Sequence, residues 1–593
     1  MMTRPQTLDE LFRQKVEHSP ERTAYRTFDR AAGSWRTLRW SEMGAQVARL
    51  RAALRHEGLE PGERVALMLG NGPDWIAFDQ AILALGLVTV PLYVDDRPDN
   101  VAHILRETEA RLVLVQDGVQ WRRLGDALWG LPALRRIISL TQVDLQDSRV
   151  RSLDEWCAQA PAEEGFTPVS SPERLATIVY TSGTTGSPKG VMLTHANILS
   201  NARAAASLVD IGPTDRFLSF LPLSHMLEHT AGYVLPMLCD AEVAFNRAIQ
   251  QLGEDLQSQH PTVLISVPRI YEQVASRIRA ALAHKGRLQR WLFQAAVDVG
   301  WLAFERAQKR APWHPALLLH PILQRLVGRP ILQRLGGHLR LAICGGAPLP
   351  PDVARLFIGI GLPLLQGYGL TETSPVISVN RPDDNLPASV GRPLPGVDVR
   401  LGEQDELLVR SPGNTQGYWL NHAATHALFT PDGWLRTGDQ ARIDAQGRIF
   451  ITGRIKDILV LTSGEKVPPA DMEMALLGDP LFEQAMVLGE ARPHLVLLAV
   501  LNPEESEPLI RAAGLDPSTP EALHDRRVEK AVLARANRAT YAFPRHAKLR
   551  RAILLHEPWT VENGTLTPTL KLKRPVIQSQ NAEKIDALYA AHN

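Results

Sequence analysis

Cysteine is scarce in this chain of 593 residues: only Cys157, Cys239 and Cys344 occur, widely spaced and odd in number. That excludes a disulfide framework and a CxxC metal site, and it suits a reducing cytoplasm. Charge of one sign is missing too. Lys+Arg 65 against Asp+Glu 64 leaves a net charge of +1, so no global field argues for nucleic acid. The N-terminus, MMTRPQTLDELFRQ, lacks the apolar core of a secretory signal. The most apolar long stretch, Phe217–Ala241, is interrupted by His225, Glu228, His229 and Asp240. A lipid-spanning helix would have to bury those groups, so a helix-and-strand segment of a soluble protein is expected. The expected location is cytoplasmic, at most lying on a membrane surface. No HExxH, nucleophile elbow or dinucleotide fingerprint occurs either, so those readings do not compete.

What is present is an alternation of helix and strand periodicity over the first three quarters of the chain. Met43, Val47, Leu50 and Leu54 follow a helical spacing after a candidate N-cap Ser41, and Gly58 is placed to end that helix in the left-handed conformation. Val65–Leu69, Leu87–Pro91 and Leu112–Val115 read as strands. Beyond a polar, proline-containing stretch at Ala160–Pro172, Leu175–Tyr180 reads as a strand, Ala196–Val209 as a helix and Thr262–Val267 as a strand. Leu339–Cys344 runs into Gly345-Gly346, a strand delivering its end to a tight turn, where open α/β sheets bind ligands. From about Asp457 the pattern changes: Met486–Leu488 and Leu495–Leu501 look like strands paired around Glu490–Pro493, followed by a helix near Arg527–Arg538, a final strand and a polar tail. At 593 residues one core is not enough. The expectation is an α/β fold: a large N-terminal domain of helix-flanked sheets (1–455) joined by a hinge to a smaller C-terminal α+β domain (456–593).

Between Tyr271 and Arg340 there are twelve Lys or Arg against three Asp or Glu, with Trp291, Leu292, Phe293, Trp301, Leu302 and Phe304 interleaved. The hexamer PILQRL begins at Pro321 and again at Pro330; two copies do not make a solenoid. The simpler reading is a solvated helical excursion with a basic face. The sharper one is a docking surface for anionic lipid.

The chemistry concentrates first in Tyr180–Gly190, YTSGTTGSPKG. The ten residues after the tyrosine supply three glycines, five hydroxyls, one lysine and no carboxylate. Glycines let backbone approach a ligand, and N–H groups and hydroxyls can then cradle phosphate oxygens, with Lys189 as counter-charge. A Walker A loop needs G-x-x-x-x-G-K-[ST]; here Pro188 precedes the lysine and Gly190 follows it, so the P-loop NTPase reading fails.

TSGTTGSPKG resembles the phosphate loop of the adenylate-forming superfamily: acyl-CoA synthetases, luciferases and nonribosomal peptide adenylation domains. Further strings follow in that family's order: Leu221–His225 (LPLSH), Gly345–Ala347, Gln366–Glu372 (QGYGLTE), Thr437–Asp439 and Gly453–Asp457 (GRIKD). The resemblance spans about residues 10–575. It implies that Thr181, Ser182, Gly183, Thr184, Thr185, Gly186 and Lys189 hold the triphosphate of ATP. It implies that adenine stacks on Tyr368 between Gly367 and Gly369, with Gly345, Gly346 and Ala347 closing over it; an aromatic face suits a flat heterocycle. Thr371 resembles the contact to the α-phosphate, Asp439 the acceptor of the ribose hydroxyls, and Arg454 its partner. Glu372, with Thr184, resembles the Mg²⁺ ligand set. A carboxylate must attack the α-phosphorus of a polyanion, so a second lysine is sought beside Lys189. The family's Gly-Lys-x-x-Arg pattern falls on Lys571 and Arg574, but Leu570 replaces the glycine and Lys573 competes. Lys456 resembles the hinge residue, His225 and Gly464 candidates at the acyl and CoA pockets.

SGEKVP at Ser463, the tail ENGTLTPTLK at Glu562 and VPRIYE at Val267 resemble long-chain fatty acyl-CoA synthetases. Asp405-Glu-Leu departs from the usual Gly-Glu-Leu at a turn. The implied reaction takes fatty acid, ATP and CoA through an acyl-adenylate, with Mg²⁺, and is compatible with a homodimer. Two alternatives stand beside it: a ligase loading an acyl carrier protein, and a catalytically silent lipid-binding protein.

Overall fold

The computed structural model describes residues 4–128, 130–143, 147–161, 168, 169, 171–181, 188–455, 458–567 and 571–590. They fall into two compact units. One comprises Met1–Arg400, Leu408–Thr437 and Ile443–Ile449; the other comprises Leu401–Leu407, Gly438–Arg442 and Phe450–Asn593.

The larger unit is built on two sheets. The seven-stranded sheet runs in the order Val150–Ser152, Arg136–Ser139, Leu112–Val115, Arg64–Met68, Val88–Pro91, Leu175–Thr181 and Lys189–Thr194. Its strands are parallel except the last, which turns back as a hairpin on Leu175–Thr181. Both faces are covered, as a parallel sheet requires. Val65, Leu67, Leu112 and Leu114 enter one core cluster, while Ala66, Met68, Val113 and Val115 enter another on the opposite face, following the two-residue period of a strand. The first cluster also takes in Phe217, Val243, Val263 and Leu341 of the second, nine-stranded sheet. A single core therefore joins the two sheets. Helix Pro73–Ala84, buried along its whole length, belongs to that core.

The expected strands and helices are found within a few residues of their predicted ends, and Gly58 is left-handed at φ +64°. Three readings need correction. Helix Trp40–His56 begins before Ser41; its cap is Arg39, whose N–H donates to the Glu42 carboxylate at 2.8 Å. Trp40 is drawn into the helix because its ring packs edge-on against Phe12 and Tyr25. Lys189–Thr194 is a strand, so the phosphate-type loop closes a β-hairpin, with Thr181 opposite Lys189, before helix His195–Ala206 begins. The C-terminal tail is not merely polar: helices Arg574–Gln580 and Ala582–Ala590 bury Ile577, Ile585 and Tyr589.

In the smaller unit, Phe482–Leu488 pairs antiparallel with Leu495–Leu501, which pairs parallel with Leu549–Leu555. All seven residues of Leu495–Leu501 are buried, because helices Pro469–Leu477 and Arg526–Ala539 lie on one face and the C-terminal helices on the other. Among the described residues no helix is long and apolar enough to cross a membrane.

Candidate active site

Helix His195–Ala206 organises the site in the larger unit. Thr194 caps it, accepting from Asn197 N–H at 3.1 Å, while Asn197 Oδ1 accepts from Thr194 N–H at 2.9 Å. This reciprocal cap frees the Asn197 amide NH₂ to donate to Pro412 O at 2.8 Å. Two helical turns of side chain suffice to reach a second segment. Buried Asn201 donates to Thr373 O at 3.1 Å and Val376 O at 2.7 Å, and accepts from Val376 N–H at 3.2 Å. The helix that follows Lys189 thus ties down both the turn containing Glu372 and the segment that begins at Pro412.

That segment returns along strand Lys189–Thr194. Thr415 donates through Oγ1 to Met192 O at 2.6 Å, Met192 N–H donates to Gly417 O at 3.0 Å, and Trp419 N–H donates to Gly190 O at 2.7 Å. Thr415 N–H also donates to Glu372 O at 2.8 Å. Tyr418 is held in the middle. Its hydroxyl donates to Glu372 Oε1 at 2.7 Å, and Lys189 Nζ lies 5.2 Å from the centre of its ring. Burial and the Glu372 charge both raise the Tyr418 phenol, so it stays a donor at every working pH. One tyrosine therefore lies against both the candidate phosphate lysine and the candidate metal carboxylate. Sequence reading missed it, together with Asn197 and Asn201. Thr194-x-x-Asn197 was legible as a cap, whereas nothing local in Gly417-Tyr418-Trp419 pointed to Glu372.

Glu372 itself is half-buried in the short turn Thr371–Thr373, with Thr371 beside it. Just upstream, Gln366–Gly369 lies in strand Leu364–Gly369, where Tyr368 is half-buried opposite Ser378. Gly369 is fixed by close approach: a Cβ there would sit 1.8 Å from Pro375 O. Gly345 is buried, Gly346 and Ala347 are exposed, and Gly346 turns the chain at φ +80°. A Cβ on Gly345 would meet Leu227 at 3.5 Å, an ordinary contact, and Thr230 donates through Oγ1 to Ser374 O at 3.1 Å. The chain from Met226 to Leu238 accordingly lies beside Gly345 and bonds the end of the turn that carries Glu372.

His225 starts that helical stretch as its cap, Nδ1 accepting from Leu227 N–H at 3.2 Å. The groups after it are the more unusual ones. His229–Val234 is a π-helical turn, a distortion that often marks functional sites. Glu228 is 1 % exposed, and neither of its carboxyl oxygens has a hydrogen-bond partner of ordinary geometry. Burial pushes its pKa up to about 8, tempered only by the nearby Ser219 hydroxyl. Burial likewise pushes His229 down to about 4 and Asp79, which accepts from Thr89 at 2.8 Å and Tyr233 at 3.1 Å, up to about 7.

In the smaller unit the structure brings Asp439 and Arg454 together. Arg454 Nε donates to Asp439 Oδ1 at 2.9 Å, with the carboxylate buried and the guanidinium half-exposed. Gly438 N–H donates to Glu406 Oε1 at 3.1 Å, fixing the turn before Asp439. Gly464 stands in an exposed turn between strands Leu459–Val460 and Lys466–Val467. Near the C-terminus, Thr567 N–H donates to Lys571 O at 2.8 Å and Lys573 N–H to Thr565 O at 2.8 Å. Leu572, between the two lysines, packs against the core of the smaller unit. Lys571 is exposed; Lys573 is half-buried at the start of helix Arg574–Gln580. Arg574 is an anchor, ion-paired to Glu473, whose other oxygen accepts from Val487 N–H. Ser182, Gly183, Thr184, Thr185, Gly186 and Lys456 lie outside the described residues. Among the described residues no group of three or more His, Cys, Asp or Glu could hold a metal ion.

Residues 12–419 match the model of the AMP-binding enzyme family, and residues 456–593 that of the AMP-binding enzyme C-terminal domain. The long-chain-fatty-acid–CoA ligase FadD15 of Mycobacterium bovis is 33% identical over 97% of this chain and 96% of its own. A chloroplastic long-chain-fatty-acid–acyl-carrier-protein ligase of Arabidopsis thaliana is 27% identical over 93% of this chain and 83% of its own. In fold, the chain is similar to the anthranilate CoA ligase AuaEII in complex with anthranoyl-AMP, with a TM-score of 0.74 and 20% identity over 98% of both chains.

Proposed function

The chain belongs to the AMP-binding enzyme family, and on that premise we propose that it is an ATP-dependent ligase of long-chain fatty acids and CoA. The fatty acid carboxylate attacks the α-phosphorus of ATP, forming acyl-AMP as the bond to pyrophosphate breaks. The CoA thiol then adds to the acyl carbonyl; AMP leaves and a proton is released. The observation that carries this reading is the Lys189–Tyr418–Glu372 arrangement: a cation and a carboxylate held against one half-buried phenol, at the start of strand Lys189–Thr194.

In this reading Lys189 and the loop bind the triphosphate, and Tyr368 packs on adenine with Gly345 and Gly346 leaving room for it. Thr371 binds the α-phosphate. Asp439 accepts from the ribose hydroxyls, Arg454 holding its carboxylate in place. Glu372 and Thr184 would hold Mg²⁺, which offsets phosphate charge when bound. A single half-buried carboxylate fits a hard cation that takes its remaining ligands from phosphates and water. Lys571 carries the second positive charge to the reacting phosphate, and the small domain, 456–593, rotates about Lys456 to bring first Lys571 and then the Gly464 turn into use. The second reading, transfer to an acyl carrier protein, is favoured by one observation, the similarity to the chloroplastic acyl-carrier-protein ligase.

The deciding experiment supplies ATP and a fatty acid panel with CoA or with holo-acyl-carrier protein. Acyl-CoA is expected for long-chain acids; acyl-AMP accumulating with CoA present, and discharged only by carrier protein, selects the second reading. Lys571→Ala is expected to abolish acyl-AMP formation while sparing transfer from supplied acyl-AMP to CoA. The same pattern from Lys573→Ala instead moves the assignment by two residues.

A further inference from the structure

Exposed large apolar side chains are not spread evenly over this molecule. Of fifteen such residues among those described, seven lie within 39 positions: Leu288, Trp291, Trp313, Leu318, Leu319, Ile322 and Leu326. These residues belong to one helical excursion. Helix Arg287–Ala307 packs through Val297, Gly300 and Phe304 toward helix Pro351–Gly359, so closely that Gly300 and Gly359 meet backbone to backbone. Leu288 stands half a turn away from that buried face. The stretch from Pro315 to Gly328 packs back on Arg287–Ala307, leaving a groove floored by Ala303, Ala307 and Leu317 and flanked by Arg306 and His320. On the outer side Leu318, Ile322 and Leu326 line up at four-residue spacing.

The repeated hexamer shows that this exposure is not a property of the residues. In the second copy, Ile331 and Leu335 pack against the core. In the first, the equivalent Ile322 and Leu326 are 56 % and 63 % exposed. The first copy is held through Leu323 and Gln324, so the isoleucine and the last leucine that are covered in one place are bare in the other. Cations surround the first copy. Between Lys285 and Arg334 lie nine Lys or Arg and two acids, and both acids are already engaged, Glu305 with Arg310 and Asp298 with Arg355. The remaining positive charge has no acid within the segment to neutralise it. Exposed tryptophans and aliphatic side chains set among uncompensated cations fit the boundary of an anionic bilayer, where rings and chains enter the acyl region and cations meet headgroups.

We propose that the excursion from Lys285 to Arg334 docks the protein on an anionic lipid surface, with Leu318, Ile322 and Leu326 entering the bilayer and Lys285, Arg287, Arg290, Arg325 and Arg329 meeting lipid headgroups. The surface lies outside the nucleotide machinery, so its failure and that of the ligase reading are separable. The full chain is mixed with phosphatidylcholine vesicles with or without phosphatidylglycerol and floated on a density gradient. Binding is expected only with the anionic lipid, and weakening as salt rises. Leu318→Ser/Ile322→Ser/Leu326→Ser should raise the lipid concentration for half-binding at least tenfold, as should Arg287→Gln/Arg290→Gln/Arg325→Gln. Tyr541→Ser, at a still more exposed aromatic elsewhere, should leave it unchanged. Exposed apolar-to-serine changes leave the core intact, so the thermal midpoint and acyl-AMP formation from a water-soluble acid should hold. Absence of vesicle binding at low salt overturns the proposal, as does equal binding to neutral vesicles or by the triple-serine variant. Self-association of the free chain that the triple-serine variant abolishes, without lipid binding, would assign the face to a second copy instead and likewise overturn it.

Discussion

Glu228 provides the sharpest test of how this interior is built. Its carboxyl is buried, has no hydrogen-bond partner of ordinary geometry, and is pushed up by burial to about 8 from an ordinary value of 4.5, the Ser219 hydroxyl opposing the shift. Between those two values the folded chain keeps a proton that the unfolded chain gives up. Stability must then fall as pH rises, by about 1.4 kcal/mol per pH unit, until Glu228 ionises in the folded state. The total is on the order of 5 kcal/mol by pH 8, the ceiling set by a dry site. Two neighbours titrate with it. Asp79, pushed up to about 7, acts in the same direction but is exhausted by pH 7; His229, pushed down to about 4, acts oppositely, losing stability as pH falls from 6.5. The window from pH 7 to 8 therefore isolates Glu228 among the three.

Glu228→Gln keeps the shape and removes the titration. Urea unfolding followed by tryptophan fluorescence, at intervals from pH 5 to 9, gives the difference between the two proteins. At pH 5 the variant should be equal to or less stable than the parent, because the amide adds unpartnered donors, at a cost of about 1–3 kcal/mol. By pH 9 the order should reverse by several kcal/mol. A difference that stays constant from pH 5 to 9 refutes the reasoning, since it means Glu228 is ionised or solvated throughout.

Tyr418→Phe should keep the ring against Lys189 but release the Glu372 carboxylate; stability should change by no more than about 1.5 kcal/mol, while the Mg²⁺ concentration for half-maximal acyl-AMP formation rises severalfold, measured by pyrophosphate release. Asn201→Ala removes three hydrogen bonds at a buried position and should cost about 2–4 kcal/mol in urea unfolding, with KM for ATP rising before the fold is lost. Asp405 adopts φ +57°, a conformation natural to glycine. Asp405→Gly should therefore be neutral to stabilising by about 1 kcal/mol, read as the unfolding midpoint of the smaller unit.

The strands and most helices were legible because burial imposes a period on neighbouring residues. The strings around Lys189, Tyr368, Glu372 and Asp439 were legible for a different reason: they are short runs rich in glycine and hydroxyl residues in a known family's order, the composition that close backbone approach to a phosphate or a ring would require. What escaped was contact at long range. Tyr418 meets Glu372 across 46 residues, and Asn201 meets Thr373 across 172. A lone tyrosine or asparagine gives no local sign of such a partner. Strand Lys189–Thr194 was missed because six residues are too few for their alternation to stand out, and its identity comes from the hairpin partner Leu175–Thr181.

The stretch Phe217–Ala241 shows where a correct exclusion still left the mechanism of burial unread. His225, Glu228, His229 and Asp240 were taken as reasons why the segment could not cross a lipid bilayer. The protein nevertheless buries two of them, Glu228 at 1 % and His229 at 3 % exposure. A protein interior can do this where lipid does not because it fixes each group's surroundings and protonation state separately: a neutral acid against Gly232, whose missing side chain makes room for it, and a neutral imidazole between Trp75 and Tyr233. Neutrality removes most of the cost of burial but not the unmet hydrogen-bonding capacity that remains. The π-helical turn at His229–Val234 puts these groups on the same stretch that reaches Gly345 through Leu227 and Ser374 through Thr230. Ionising Glu228 would therefore place an unpaired charge in the stretch that holds Ser374 O through Thr230.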